Sequence, residues 1–160
     1  MFEFVLLAAV ACGAYAVVRH LLRKGLTPSA VKGVLGERRV ADVVKSLGFP
    51  ALHDVYLASA AGVTQVDHIV RAGNAIVVIE TKNLSGILYG TAGDFRWRQS
   101  FRRGDGRAFL NPVRQNAGHL AAVRAVTGPD ADVRGLVVMA GNARFPQGRP
   151  DGVIHVSELK

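Results

Sequence analysis

Residues 65–82 read Gln-Val-Asp-His-Ile-Val-Arg-Ala-Gly-Asn-Ala-Ile-Val-Val-Ile-Glu-Thr-Lys. Two runs rich in β-branched residues flank Gly73-Asn74, a pattern that predicts two antiparallel strands joined by a two-residue turn. Counting outward from that turn places Asp67 directly opposite Glu80. Side chains alternate between the two faces of a strand, so Lys82 shares a face with both carboxylates.

The predicted pair of opposed carboxylates is unfavourable by itself. Like charges directly opposite on a sheet destabilise it, unless a cation bound by oxygen atoms or a nearby lysine offsets the repulsion. Glu80 also ends Ile76–Ile79, a run that is apolar on both faces and typical of a central strand. An alternative stays open, in which Asp67 and Glu80 lie at a solvated sheet edge and Lys82 is an ordinary ion-pair partner.

A third carboxylate, Glu37, lies on a predicted helix from Gly33 to Leu47. It precedes Val40 by three positions and Val44 by seven, so it lies on the apolar stripe of that helix. A core-facing Glu37 would complete an acidic pocket with Asp67 and Glu80. The alternative is a first-turn glutamate that is stabilised by the helix dipole.

The rest of the chain alternates between short strands and helices. A second helix is predicted from the Asn111 cap and Pro112 to Val126, ending at Gly128-Pro129. The predicted strands are residues 51–57, 65–71, 75–82, 88–90, 95–100 and 133–140, with a turn at Gly104-Asp105-Gly106. The order helix, three strands, insertion, helix and strand predicts a mixed α/β sheet.

The N-terminal segment accounts for much of the hydrophobicity of this 160-residue chain. Phe4–Val18 carries no charge, and basic residues follow it at Arg19, Arg23 and Lys24. We expect residues 1–24 to form a single-pass membrane anchor, residues 25–32 a linker, and residues 33–160 one domain that faces the cytoplasm. A secretory signal peptide and a buried core helix are the alternatives.

Charge and cysteine content limit the remaining possibilities. The chain has 20 Lys+Arg, 12 Asp+Glu and one cysteine, which excludes an intramolecular disulfide framework and a cysteine-rich zinc module. Residues 1–24 hold three basic side chains and one acidic one, so the rest of the chain keeps six of the eight net positive charges. An arginine-rich domain of this kind favours phosphate as a partner, or alternatively anionic lipid.

Four ordered motifs over residues 33–140 resemble the nuclease-related domain family, within the PD-(D/E)XK nuclease-like superfamily. The motifs are Gly36-Glu37, Val66-Asp67-His68-Ile69, Val78-Ile79-Glu80-Thr81-Lys82-Asn83 and Asn111-Pro112-Val113-Arg114-Gln115-Asn116. Val66 departs from the proline of the superfamily name. The resemblance implies a restriction-endonuclease-like α/β fold with an α-β-β-β-α-β core, here preceded by an N-terminal transmembrane helix.

The resemblance also implies roles for individual residues. Asp67, Glu80 and the backbone carbonyl of Thr81 would bind Mg²⁺ or Mn²⁺. Lys82 would orient the attacking water and stabilise the phosphate, Glu37 would assist from its helix, and Gln115 resembles the helix glutamine seen near such sites. The physical logic agrees, because phosphodiester hydrolysis needs a metal to lower the pKa of water and to neutralise the developing charge.

An arginine-rich segment that begins at Phe95 follows the acidic residues, and it also contains Trp97 and Phe101. Alternation along a strand predicts that these aromatic rings pack in the core, rather than stack on bases. His68 and His119 are expected to be structural. The predicted contacts to nucleic acid are Arg96, Arg98, Arg102, Arg103, Asn111 and Arg114.

We therefore expect a membrane-anchored, metal-dependent nuclease that acts on DNA in preference to RNA. The alternative is a membrane-tethered module that binds nucleic acid, or serves as a scaffold, without cleaving.

Overall fold

The computed structural model describes residues 27–102 and 105–160. The predicted anchor, residues 1–24, lies outside the described residues, as do Arg103 and Gly104. No helix within the described ranges is long and apolar enough to cross a membrane. Contacts divide the chain between Leu35 and Gly36, and both sheets lie in the part from Gly36 onward.

The described part contains two α-helices, eight strands and a short 3₁₀ turn, Val156–Glu158. In chain order the α-helices and strands are α1 (Pro28–Ser46), β1 (Ala51–Ser59), β2 (Gly62–Ala72), β3 (Ala75–Lys82), β4 (Ile87–Tyr89), β5 (Arg96–Arg102), β6 (Asp105–Leu110), α2 (Pro112–Thr127), β7 (Asp132–Met139) and β8 (Val153–His155).

The main sheet has five strands in the order β1-β2-β3-β7-β8. Strands β1, β2 and β3 are antiparallel neighbours, whereas β7 runs parallel to β3 and β8 runs parallel to β7. Strands β4, β5 and β6 form a separate antiparallel sheet. The predicted mixed α/β architecture is confirmed, and it is consistent with a nuclease-like fold.

The predicted β2–β3 register is also confirmed. Ala72 pairs with Ala75 and Ile69 pairs with Val78, which leaves Gly73-Asn74 as the two-residue turn. The last pair of this ladder is His68–Ile79, one position before Asp67 and Glu80 would meet. The two acidic residues therefore lie just beyond the last regular pair between β2 and β3.

The two helices pack on opposite faces of the main sheet. Val40 and Val44 of α1 belong to one core cluster with Ile79, and Val123 of α2 belongs to another with Val78. Val78 and Ile79 are consecutive in β3 and point to opposite faces of the sheet, so the two helices lie on opposite faces. A third cluster, around Trp97 and Met139, joins the small sheet to β7.

Helix α1 begins earlier than the sequence predicts. Residues 28–32, predicted as part of the linker, belong to the helix, because Pro28 suits the first helical turn and the Thr27 hydroxyl accepts a hydrogen bond from the Ala30 N–H at 3.3 Å. The helix ends at Ser46, so Leu47 lies beyond it and is exposed.

Two strands were not predicted, β6 and β8. Asp105 and Gly106, predicted as part of a turn, begin β6 and pair with β5. Neither residue favours a strand, so the pairing with β5 decides their conformation. Strand β8 has only three residues, which is too short for a recognisable alternation.

Candidate functional site

Glu80 is the most buried carboxylate of the main sheet, with 1% of its surface exposed. It ends the apolar part of β3, and both of its oxygens have partners. Oε1 lies 2.6 Å from Lys82 Nζ, and Oε2 accepts a hydrogen bond from His119 Nε2 at 3.0 Å. A buried carboxylate needs such partners, since burial of an unpaired charge is costly.

Asp67 lies beside Glu80 at the point where the β2–β3 ladder ends. Its Oδ2 accepts a hydrogen bond from the Thr81 backbone N–H at 2.7 Å. Burial raises the pKa of Asp67 to about 7, and the negative charges of Glu80 and Glu37 act in the same direction, against the opposing effects of the Thr81 N–H and Lys82. The negative charges of Asp67 and Glu80 therefore repel each other.

Glu37 joins this group from α1. Burial is the largest cause of its raised pKa, followed by the charges of Asp54 and Glu80. No acidic residue lies in the first turn of α1, so the alternative account of Glu37 as a first-turn residue stabilised by the dipole is wrong. A Cβ atom on the preceding Gly36 would lie 2.6 Å from Asn83 Cβ, so only glycine lets this part of α1 approach the end of β3 so closely.

Helix α2 supplies two further side chains to the group. Gln115 Oε1 accepts a hydrogen bond from Lys82 Nζ at 3.1 Å, which holds the ammonium group between Glu80 and Gln115. His119 contacts Glu80 through Nε2, and its Nδ1 lies 2.9 Å from Thr64 Oγ1. His119 was expected to be merely structural. Its spacing of four residues from Gln115 is the signal that places both side chains on one face of the helix.

A second residue that the sequence did not reveal is Asp54 in β1. The pairs His53–His68 and Val55–Val66 flank it, so it lies opposite Asp67. It has a backbone φ of +54°, a left-handed conformation that aspartate tolerates better than most residues. Gln65 Nε2 donates a hydrogen bond to Asp54 Oδ1 at 2.9 Å. No local pattern distinguishes this aspartate in the sequence.

His68 has the structural role that the sequence predicts. Its Nδ1 lies 2.7 Å from His53 Nδ1, and its Nε2 lies 3.2 Å from Thr81 Oγ1. Burial and then the neighbouring His53 lower the pKa of His68 to about 4, so its ring is neutral at physiological pH.

The arginines predicted to contact nucleic acid are spread over β5 and α2. Arg96, Arg98 and Arg114 are exposed. Arg102 ends β5, and Arg103 lies outside the described residues. Phe95 and Phe101 are about 60% exposed, at 61% and 62%, whereas Trp97 is 1% exposed. The expectation that all three aromatic rings pack in the core is therefore right only for Trp97.

Asn111 has a different position from the arginines. It is fully buried, and its Oδ1 accepts a hydrogen bond from the Val113 N–H at the start of α2. Its Nδ2 lies 2.6–3.1 Å from three backbone carbonyls, those of Thr91, Ala92 and Asp94. These contacts occupy the side chain, so Asn111 is not available to touch nucleic acid directly.

The acidic group has the right kind of donors for a hard cation. Carboxylate oxygens from Asp67 and Glu80 and a backbone carbonyl from Thr81 match the preference of Mg²⁺ for oxygen. Within residues 27–102 and 105–160, no group of three or more His, Cys, Asp or Glu is arranged to hold a metal. Mg²⁺ is usually held by one or two carboxylates, with water and substrate oxygens in its remaining positions.

Comparison with known proteins identifies the domain. Over 96 residues the chain is 38% identical to an uncharacterised protein of Bacillus anthracis, covering 58% of this chain and 45% of that protein. The chain thus spans about half the length of this curated relative. A crystal structure of a protein of unknown function, AF1548, superposes with a TM-score of 0.50 and 11% identity over 81% of this chain and 60% of that one, which shows a shared fold only.

The family model of the nuclease-related domain matches residues 32–140. This range contains Glu37, Asp67, Glu80, Lys82 and Gln115, the residues predicted to do chemistry. The PD-(D/E)XK nuclease-like superfamily is the expected context of such a domain. Because the match spans well over half of the chain, this protein belongs to the nuclease-related domain family.

Proposed function

We propose that the domain is a metal-dependent nuclease that hydrolyses phosphodiester bonds, in DNA in preference to RNA. One observation carries the proposal. The buried Glu80 forms an ion pair with Lys82, and its charge contributes to the raised pKa of Asp67. All three residues lie within the range that the nuclease-related domain model matches. A purely basic binding surface has no need of such an acidic group.

Asp67, Glu80 and the backbone carbonyl of Thr81 would hold Mg²⁺ or Mn²⁺. An ion bound there would lower the pKa of water and neutralise negative charge on the phosphate. Burial is the first cause of the raised pKa of Asp67 and the charge of Glu80 is the second, and a cation bound between the two carboxylates would relieve that second effect.

The other residues would place and activate the water. The Lys82 ammonium, fixed by Glu80 and Gln115, is a donor that can orient the water and stabilise charge on the phosphate. Glu37 is half-buried with a raised pKa, which brings a carboxylate closer to the range suited to general base catalysis.

Cleavage assays with the full chain in detergent test this proposal. The substrates are single-stranded and double-stranded DNA and RNA, with Mg²⁺, Mn²⁺ or EDTA. We expect metal-dependent cleavage that Glu80→Gln and Lys82→Ala abolish. Asp132→Asn is the matched control, since Asp132 is exposed and its ion pair is with Arg134. Equal activity, or equal inactivity, of wild type and both site variants would overturn the assignment.

A non-catalytic module is a second candidate, and one observation favours it. Both Glu80 oxygens already have protein partners, Lys82 and His119, so the carboxylate is satisfied without a metal. This candidate predicts nucleic-acid binding that is unaffected by Mg²⁺, no cleavage, and no increase of melting temperature when Mg²⁺ is added.

We further propose that residues 1–24 anchor the protein in a membrane, with the domain in the cytoplasm. The uncharged Phe4–Val18 and the basic residues that follow it support this. Membrane fractionation of the full chain and of a chain lacking residues 1–24 tests it. The full chain should sediment with membranes and resist extraction at high salt, and recovery of both chains in the soluble fraction would contradict the anchor.

A further inference from the structure

The small sheet and the start of α2 carry two contacts between an arginine and an aromatic ring. The Arg98 guanidinium carbon lies 4.6 Å from the centre of the Tyr89 ring, and that of Arg114 lies 5.5 Å from the centre of the Phe95 ring. Arg98 pairs with Tyr89 across β4 and β5, so the first contact is a cross-strand one. We call these four residues and Arg96 together the arginine–aromatic surface, which thus has five residues.

The arginines of this surface form no ion pair with any carboxylate whose side chain the structure describes. Arg134 and Arg149 are also at the surface, but each is paired with a carboxylate, Asp132 or Glu158. Arg96, Arg98 and Arg114 have no such pair among the described side chains, a set that leaves out Asp105. Their guanidinium groups therefore keep donors available for phosphate oxygens.

The Phe95 ring is exposed, and the backbone that carries it is held in place by Asn111. The Asn111 side chain binds the carbonyls of the loop immediately before Phe95, while its Oδ1 caps α2. Its backbone N–H also donates to the Phe95 carbonyl at 3.2 Å. One buried residue thus fixes both the backbone at Phe95 and the first turn of α2, which carries Arg114. An aromatic side chain on a fixed backbone has less entropy to lose when a base stacks on it.

Helix α2 connects the arginine–aromatic surface to the acidic group. Arg114 is the chain neighbour of Gln115, and Gln115 accepts a hydrogen bond from Lys82. The first turn of α2 therefore carries both Arg114 and the residue that contacts the candidate catalytic lysine.

We infer that the arginine–aromatic surface binds single-stranded nucleic acid, with an unpaired base stacked on Phe95 and phosphates held by Arg96, Arg98 and Arg114. An aromatic side chain can stack on the face of an unpaired base, whereas the faces of bases inside a duplex are already covered by their neighbours. The positive charge complements the phosphate backbone of the strand. This inference rests on the proposed function for its substrate and adds which form of nucleic acid the site accepts.

Fluorescence anisotropy in EDTA tests the inference without any cleavage. The full chain in detergent is titrated against a labelled single-stranded oligonucleotide and against a blunt duplex of the same length. We expect the single strand to bind at least tenfold more tightly. Phe95→Ala should weaken single-strand binding at least about fivefold and leave duplex binding unchanged. Phe95→Tyr, which keeps an aromatic ring, should bind the single strand like the wild type. Arg114→Lys should weaken it less than Arg114→Ala.

Tyr56→Ala is the matched control, because Tyr56 is an aromatic residue of β1 that is 66% exposed, similar to Phe95. It should bind both probes like the wild type. Equal affinity of wild type for the two probes, no binding at all, or a Phe95→Ala effect of equal size on both probes would overturn the inference. The nuclease proposal fails separately, by the cleavage assay, because binding in EDTA is independent of Glu80 chemistry.

Discussion

Asp67 and His68 are neighbours in β2 whose pKa values move in opposite directions. The pKa of Asp67 is raised to about 7 and that of His68 is lowered to about 4, in both cases with burial as the first cause. The folded state therefore prefers a protonated Asp67 and a neutral His68. The Asp67 contribution to stability is present below pH 3.8 and is lost as the pH rises towards 7. The His68 contribution is present above pH 6.5 and is lost as the pH falls towards 4.

These two contributions oppose each other, so the pH dependence that each would give the metal-free wild type between about pH 4 and 7 is largely cancelled by the other. Asp67→Asn removes one of them, so the stability of that variant should rise more with pH over this interval than that of the wild type. Urea unfolding in EDTA at four pH values measures this. A variant profile that runs parallel to that of the wild type would contradict the shift assigned to Asp67. Asp132→Asn, at an exposed site, should leave the profile nearly unchanged.

His119 is expected to act on cleavage by positioning Glu80. His119→Ala removes the donor to Glu80 Oε2, so the carboxylate loses one of the two contacts that fix it. We expect the Mg²⁺ concentration for half-maximal activity to rise about tenfold or more. Thr64→Val removes the hydroxyl that contacts His119 Nδ1 and leaves the His119–Glu80 contact in place, so it should give a smaller rise. Lower activity with an unchanged Mg²⁺ requirement would assign His119 a structural role alone.

At the scale of elements, one glycine determines how closely α1 approaches β3. An added Cβ on Gly36 would lie 2.6 Å from Asn83 Cβ, so Gly36→Ala forces the helix or the strand end to move. We expect a loss of about 1–3 kcal/mol in the free energy of unfolding, with a loss of cleavage because Glu37 moves as well. Thermal unfolding and the cleavage assay measure the two effects.

Gly118→Ala is the control for this variant, since nothing lies within 4 Å of the Cβ that it would add to α2. Alanine favours a helix over glycine, so this change should stabilise the protein by up to about 1 kcal/mol. A Gly36→Ala protein as stable and active as Gly118→Ala would show that the close approach has no consequence.

The elements also show what the sequence can predict and what it cannot. The β2–β3 hairpin is predictable because β-branched runs, a two-residue turn and the alternation of faces are all local, and they bring Asp67, Glu80 and Lys82 together. Strand β6 is not predictable, because Asp105 and Gly106 adopt it only through pairing with β5. His119 and Asp54 were missed for the same reason, since only tertiary packing brings them to the acidic residues.

At the scale of the whole molecule, the formal net charge of +8 attracts any polyanion, whatever its form. Net charge alone therefore does not distinguish a specific nucleic-acid surface from diffuse attraction to DNA, RNA or anionic lipid. The distribution of ion pairs separates the two cases, because Arg134 and Arg149 are paired with carboxylates, whereas Arg96, Arg98 and Arg114 form no ion pair with a described side chain. The acidic group and these arginines place opposite charges in one small domain.

Salt dependence separates the local surface from the total charge. For single strands, the slope of log affinity against log salt concentration changes by about 0.7 for each phosphate contact. Arg98→Ser should reduce the steepness of this slope by about that amount. Arg134→Ser changes the net charge equally, but Arg134 is already paired with Asp132, so its slope should match that of the wild type. Equal slopes for the two variants would mean that diffuse charge, not the arginine–aromatic surface, governs binding.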